Sequence, residues 1–461
     1  MLLVAAAVMM GNAFAAEPVT VLGKIKDMSL RVYGFVETDV ITDTTQSFNE
    51  EQGNNLVTKR EAISAATGLP TGVDNYGGRH ARTQMSIRNS RLGFDLGMPK
   101  TDWGLESNGV IELDMLGNQA ANTAPANTAF ATQSERDFFN NPTVRVRHAY
   151  LNLTYKDWNV KVGQFWSLLG WQPYYFPGEA VVQPAVGQLY RRFAQMRLTN
   201  TQTIMDSWTV ETAADMAKPA QMNSGVPEFH GGLRVASTKL KAASIGGAGT
   251  SMVGLSAGIS GALIPVRTDI GKANGGAIAV DLALPIIPSK DGKDRSNNLV
   301  VMGEFVDGRG LGGLEYSGLS LGVAGVTAAA IGQTGNVTAG SAVDSGIAGI
   351  NRDGNVELVH YRTFRAHAQY SLNPQWALSG GFAQAEGRNL DQFSRTATGA
   401  QLAATYGLVP KIQFGYVSLA YDPLAWLRVG AEWNHTVDTY NDPVNRTAIN
   451  NRFQLSTYLT F

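Results

Sequence analysis

The sequence has 461 residues, a formal net charge of −1 and no cysteine. Charged residues make up 16% of it and glycine occupies 51 positions, whereas soluble domains average about 25% charged residues. The charge balance gives no indication of nucleic-acid binding, and the lack of cysteine excludes a disulfide scaffold and any cysteine-based metal centre.

The first element is an apolar leader, MLLVAAAVMMGNAFAA. Its apolar run leads into Ala13-Phe14-Ala15, a small-x-small cleavage signal, so we expect a secretory signal peptide over residues 1–15 and a short periplasmic segment over residues 16–28. The alternative is a buried strand, because no Lys or Arg precedes Lys24. No later stretch approaches the ~18 apolar residues of a membrane-spanning helix, so a membrane crossing would require strands closed into a barrel.

Alternating polar and apolar residues follow along most of the chain. In residues 30–40, Arg31, Tyr33, Glu37 and Asp39 fall on one face and apolar residues on the other. Residues 89–96 and 108–115 repeat the pattern, which is typical of strands with two different environments. We count about sixteen such strands, an even number as in bacterial outer-membrane barrels. The strand that starts near Val144 changes parity near His148, which predicts a β-bulge.

Short and long breaks alternate between the strands. The short polar breaks lie near residues 99–102, 156–157, 373–374 and 422–423, and a Trp follows each within a few residues. The long breaks are 42–81, 117–142, 167–190 and 308–353. Short periplasmic turns, long extracellular loops and an aromatic girdle predict an all-β fold: a transmembrane antiparallel barrel over residues 29–461 in the bacterial outer membrane.

The chain finishes on NRFQLSTYLTF, in which every second residue from Phe461 backwards is apolar or Thr. Terminal residues are usually frayed, so this pattern predicts a final strand that pairs with the first to close the barrel. The terminal aromatic resembles the signal by which the outer-membrane assembly machinery recognises barrels. An ordinary last strand that ends in Phe is the alternative.

Two features of the sequence indicate which residues line the interior of the barrel. The segment after the fifth strand, GQFWSLLGWQPYYFPGEAVVQPAVGQLYRRF, is too aromatic to lie exposed, so we expect residues 167–190 to fold into the barrel and narrow it. Acidic and basic residues on different wall segments would set the ion preference there. The predicted channel-lining residues are Glu37, Asp39, Arg91, Glu112, Asp114, Arg145, Arg147, Lys161, Trp171, Tyr174, Tyr175, Arg191, Arg192 and Arg197. The alternatives are charges that only pair with each other and aromatic residues that only pack beneath the loop.

Five short motifs carry a family resemblance: SRLGFDL (90–96), VRHAYLNL (146–153), VGQFWSLL (162–169), RRFAQMRL (191–198) and GEFVDGRG (303–310). Together they resemble the motifs of DcaP-like outer-membrane porins. The resemblance implies a sixteen-stranded homotrimeric channel for small anionic solutes, with dicarboxylic and aromatic acids as the suggested cargo. It also implies channel-lining roles for Arg91, Arg147, Arg191, Arg192 and Arg197. Residues 16–28 do not match the longer helical extension expected of the family.

The sequence therefore predicts a porin for passive diffusion of small anionic, carboxylate-bearing solutes, in contact with outer-membrane lipid and without metal or cofactor. The alternative is a plugged structural, adhesive or protein-binding barrel. An enzyme is not expected: residues 254–258 and 318–322 match G-x-S-x-G, but no helical pattern follows either match, and a nucleophile elbow needs a strand-turn-helix context.

Overall fold

A computed structural model describes residues 22–25, 28–50, 56–64, 66–67, 69–117, 142–176, 186–205, 207–219, 225–243, 254–268, 271–312, 316, 319–323, 325–326, 343–394, 399–444 and 446–461. These residues form a closed barrel of sixteen antiparallel strands. The predicted signal peptide lies outside the described residues. Of the predicted periplasmic segment, Leu22–Ile25 forms a short strand that pairs with the start of the first barrel strand.

The barrel strands follow one another in chain order. They are β1 (Met28–Asp43), β2 (Arg82–Ser86 and Arg91–Gly97), β3 (Glu106–Gly117), β4 (Thr143–Tyr155), β5 (Trp158–Trp166), β6 (Arg192–Ile204), β7 (Trp208–Ala217), β8 (Glu228–Ser237), β9 (Ser256–Thr268), β10 (Gly271–Ile287), β11 (Asn298–Arg309), β12 (His360–Ser371), β13 (Trp376–Gly387), β14 (Lys411–Leu424), β15 (Leu427–Thr439) and β16 (Thr447–Thr460). Each pairs with its neighbours, and β16 pairs with β1. β2 is in two pieces. The upper piece, Arg82–Ser86, pairs with the end of β1 nearest the long loops, and the lower piece, Arg91–Gly97, pairs with the beginning of β1.

Short elements lie in the connections between barrel strands. Two small hairpins are formed by Glu61–Ile63 with Pro70–Asp74 and by Ala348–Ile350 with Val356–Leu358. The described helical segments are Tyr76–Arg79, Leu169–Trp171, Leu390–Phe393 and Gly399–Gly407. None of the helices in the described part of the chain is both long and apolar enough to span a membrane.

The two faces of the strands match the predicted alternation. In β1, Glu37 and Asp39 are buried inside, whereas Val36 and Val40 are exposed outside. Trp103, Trp158, Trp376 and Trp426 are exposed at the end of the barrel with the short turns. An apolar outer face with an aromatic girdle suits contact with lipid. Closure of the barrel suits it too, because lipid cannot satisfy the hydrogen bonds of an open strand edge.

The predicted bulge is present in β4. Glu112 pairs with His148 and Leu113 pairs with Val146, which leaves Arg147 as the extra residue. Because a bulge shifts the alternation by one position, the neighbouring side chains of Arg147 and His148 are both buried, with exposed Val146 before them and exposed Leu151 beyond.

The terminal strand closes the barrel as its pattern predicts. Its register with β1 runs from Phe35 opposite Thr460 to Asp43 opposite Arg452. Phe461 adds the last rung: its N–H donates to the carbonyl of Gly34, and the Gly34 N–H donates to the carbonyl of Phe461, both at 3.1 Å. The last residue of the sequence is therefore part of the barrel seam.

Deleting Phe461, or changing it to Asp, is expected to lower the amount of assembled protein in the outer membrane severalfold. A lipid-facing charge near the membrane interface costs only about 0–1 kcal/mol, so a large loss would reflect failed recognition by the assembly machinery. The heat-modifiable band in outer-membrane fractions measures this, with Phe461→Tyr as the matched control. Unchanged levels in the Asp variant would remove the assembly role.

Candidate functional site

The segment 167–191, which follows β5, is named loop L3, and its described residues turn into the barrel. Its described parts are 167–176 and 186–191. Trp171 lies against two wall glycines: a Cβ added to Gly232 would be 2.9 Å from its Cζ2, and one added to Gly258 would be 2.8 Å from its Cδ1. The indole Nε1 donates to the carbonyl of Ile259 at 3.1 Å. Because Gly232 and Gly258 have no side chains, the inner wall of β8 and β9 leaves room for Trp171 and holds loop L3 in place.

Two tyrosines continue the contact of loop L3 with the wall. The Arg365 guanidinium of β12 donates to the carbonyl of Tyr175 at 2.9 Å. Arg234 of β8 lies 4.1 Å from the ring centre of Tyr174. Trp171 and Tyr175 are only 3% and 1% exposed, so these two predicted lining residues face the wall and not open water. Loop L3 therefore covers the inner surface of β8–β12.

A second loop, which the sequence did not predict to fold inward, also enters the barrel. Residues 44–81 between β1 and β2 are named loop L1, and its Phe48 and Val57 are 1% and 0% exposed. Arg452 of β16 donates to the carbonyl of Glu50 at 2.8 Å and forms an ion pair with Asp43 at 2.8 Å. The one sequence signal is Phe48, an aromatic residue in a polar stretch.

Acidic residues of β1 are buried on the inner wall. Glu37 and Asp39 are 0% and 1% exposed. Asp39 accepts hydrogen bonds from Ser456 at 2.5 Å and from Gln454 at 3.1 Å, while Glu50 of the loop pairs with Arg88 at 3.1 Å. The two predicted acidic residues of β1 are therefore placed inside the barrel, where Asp39 is hydrogen-bonded to side chains of β16.

Charged residues of β2, β3, β4 and β6 form what we name the arginine cluster. Its members are Arg91, Glu112, Asp114, Arg145, Arg147 and Arg192. The sheet register places Asp114 directly between Arg91 and Arg145. Asp114 accepts from Arg145 at 2.7 Å and from Arg147 at 2.9 Å, and Glu112 lies 2.7 Å from Arg147 and 3.5 Å from Arg91. The expected separation of acids and bases fails here because β3 lies between two basic strands.

Arg192 joins the cluster through an aromatic side chain. Its Cζ lies 4.5 Å from the ring centre of Trp166, and the Cζ of Arg147 lies 5.9 Å from the same ring. Within the described residues, Arg192 Nη1 has no hydrogen-bond partner. Four arginines against two carboxylates leave the cluster with a net charge of +2. Arg145 is its most accessible arginine among the ion-paired members, with a side chain 29% exposed.

The other predicted basic residues lie farther along the wall. Arg191 pairs with Glu228 at 2.9 Å, and Arg197 pairs with Asp215 at 3.3 Å. Lys161 is buried with its Nζ 4.9 Å from the ring centre of Tyr150. These residues support the wall and the base of loop L3 by charge pairing and cation–π contact.

One of the two G-x-S-x-G matches can be placed on a described strand. Ser256 of the G-x-S-x-G match opens β9, so a strand follows it where a nucleophile elbow needs a helix. Over the described ranges, no group of three or more His, Asp or Glu residues is arranged to hold a metal ion.

Comparison with known proteins identifies the fold. No family model matches the sequence, and no curated protein matches it. Among solved structures, the outer membrane channel DcaP of Acinetobacter baumannii is 15% identical, with a TM-score of 0.59, over 95% of this chain and 99% of that one. An anion-selective porin from Comamonas acidovorans is 9% identical, with a TM-score of 0.50, over 94% of this chain and 100% of that one.

These likenesses confirm the predicted fold and the resemblance to DcaP-like porins at the level of structure. The barrel is that of bacterial outer-membrane porins, and the outer membrane is where such a barrel, with its apolar outer face, resides.

Proposed function

We propose that this porin-fold barrel is a passive diffusion channel for small anionic solutes that carry carboxylates. The observation that carries the proposal is the arginine cluster, with its net charge of +2 on an inner wall. The guanidinium group offers two parallel donors to a carboxylate, which suits it to such solutes. Rings and ladders of charge in a narrow lumen decide which ions enter.

The positions of loops L1 and L3 support a role for this cluster. Loop L3 covers the inner surface of β8–β12, and loop L1 contacts β15, β16 and the upper piece of β2. The wall between them, from the lower piece of β2 to β6, carries the arginine cluster. A solute that passes between the loops would therefore meet this wall, on which Arg145 has the most exposed side chain of the ion-paired arginines.

The alternative is a barrel whose lumen is closed, with a structural, adhesive or protein-binding role. The inward loops favour it, because they bury much of the inner wall. Single-channel recording in a planar bilayer separates the two functions: we expect stepwise conductance and, in a KCl gradient, a reversal potential of anion-selective sign. A protein that inserts without conductance would support the closed barrel. Conductance with cation selectivity would support a diffusion channel but would contradict the anion preference assigned to the arginine cluster.

We infer a homotrimer as the assembled state. Closed symmetry is the usual state of oligomers, and the outer face of β2–β4 exposes a patch of apolar residues near its loop end: Met85, Ile87, Val144 and Val146. An apolar centre is typical of subunit interfaces. On gels, we expect a trimer without heating and a monomer of up to 49.3 kDa after boiling. A monomer in mild detergent would contradict this inference.

A further inference from the structure

The outer face of the barrel carries a group of charged residues on β11–β14, at the end with the long loops. In β11–β14 the outward positions are marked by exposed Phe305, Phe364 and Phe382. On the same strands, the outward positions closer to the loops carry charged residues. The inward positions between them stay buried. We name this group the outer charged belt: Asp307, Arg309, Glu357, His360, Arg362, Glu386, Arg388 and Lys411.

The centre of the belt is a continuous row across four strands. The register pairs Asp307 with Arg362, Arg362 with Glu386, and Glu386 with Lys411. The charges therefore alternate in sign along the row. Arg362 lies 2.7 Å from Asp307, so the acidic neighbour holds this arginine in place on the outer surface.

The cations of the belt project farther from the wall than the acids. The side chains of Arg309, Arg362 and Arg388 are 55%, 42% and 46% exposed. Those of Asp307, Glu357 and Glu386 are 30%, 22% and 26% exposed. With Lys411, four cations face three acids, which gives the belt a net charge of +1. An approaching molecule would meet the cations first.

The opposite side of the barrel lacks such a belt among its described outward positions near the loops. The exposed residues there include apolar Met85, Val144, Met196, Met216 and Phe229, and Lys218 is an isolated exposed charge beyond Met216. The charges are therefore not a general property of this height on the barrel. They distinguish one side of the barrel from the other. The apolar side remains the better surface for contact between subunits, since a charged belt would lose its hydration in such a contact.

We propose that the outer charged belt binds the phosphorylated headgroups of lipopolysaccharide in the outer leaflet. The long loops of an outer-membrane barrel are extracellular, which brings the belt to the level of the headgroups. Arginine and lysine are the residues that recognise phosphate, by bidentate hydrogen bonds and by charge. Basic residues near a membrane surface each add to the attraction for anionic lipid. The proposal rests on the barrel's orientation and not on its solute preference.

Binding of purified lipopolysaccharide to the full-length protein in detergent tests the proposal. The belt variant is Arg362→Gln with Lys411→Gln, and the matched control is Lys100→Gln with Lys156→Gln, which removes the same charge at the end with the short turns. We expect the belt variant to lose affinity by about tenfold or more and the control to bind like the wild type. Heat-modifiable migration of each variant verifies folding.

Dephosphorylated lipopolysaccharide gives a second arm that needs no variant. We expect the wild type to bind it as weakly as the belt variant binds the phosphorylated form. Equal binding of the two lipids, or equal losses in the belt and control variants, would overturn the proposal. A change in oligomeric state of the belt variant with unchanged lipid binding would also overturn it, because the belt would then be a contact between subunits. None of these outcomes depends on conductance.

Discussion

Replacing residues 46–57 with two glycines is expected to raise the single-channel conductance about twofold or more, because the buried side chains of its described part, such as Phe48 and Val57, are removed from the interior. The replacement suits the backbone: Ser47 Oγ lies 2.9 Å from the Thr58 N–H, so the two ends of the segment are already close. Lys59 remains bound to Asp442 at 3.1 Å and holds the rest of loop L1 in place.

The same change should weaken or reverse the anion preference. It removes the loop carbonyl that Arg452 binds and so leaves Asp43, which is 0% exposed and pairs with Arg452 in the intact barrel, beside the lumen. A carboxylate beside the lumen attracts cations and competes with the arginine cluster. Reversal potentials in a KCl gradient measure this shift together with the conductance.

A shortened hairpin in the same loop is the control. Removing residues 66–67, between the short strands Glu61–Ile63 and Pro70–Asp74, alters an exposed part of loop L1. This variant should conduct like the wild type. If the large replacement also leaves conductance unchanged, loop L1 does not narrow the path of ions and the passage lies elsewhere.

Replacing Arg145 and Arg192 together with Gln is expected to abolish most of the anion selectivity. The two substitutions reduce the charge of the arginine cluster from +2 to zero. Coulomb's law gives about 0.5 kcal/mol per unit charge at ~8 Å in water, so the loss of two charges corresponds to about a fivefold change in ion preference. Asp114 keeps Arg147 as a partner at 2.9 Å, which preserves the wall.

Arg362→Gln is the matched control for this pair, because it removes an arginine from the outer face. Its reversal potential should equal that of the wild type. Arg147 is a poorer target, since it is 2% exposed and holds both Glu112 and Asp114, and removing it would leave buried carboxylates unpaired. Selectivity that persists in the Arg145 and Arg192 double variant would assign the anion preference to another part of the barrel.

The sequence by itself determined the elements of the barrel and their two faces. Each strand's alternation is a local property, with a period of two residues, so Val36 and Glu37 could be assigned to opposite faces without knowledge of any neighbour. The same local logic predicted the bulge at Arg147, where the alternation slips by one position. The pattern of the last strand and Phe461 indicated closure, because unpaired strand edges are not tolerated in lipid.

Only the tertiary structure decided which side chains meet across strands and loops. Asp114 lies between Arg91 and Arg145 because of the register of three strands, and register is not encoded in the alternation of any one of them. The seat of Trp171 against Gly232 and Gly258 depends on residues about sixty to ninety positions away, and in a sequence with 51 glycines no pattern distinguishes these two.

Loop L1 and the outer charged belt follow the same rule. Phe48 and Glu50 stand in a polar stretch that reads as exposed, and their burial comes from Arg452, some 400 residues later in the chain. The alternating row of Asp307, Arg362, Glu386 and Lys411 arises from four strands separated by long connections. The local pattern fixes which face a residue occupies, whereas its partners are fixed by contacts between distant parts of the chain, and only folding brings these together.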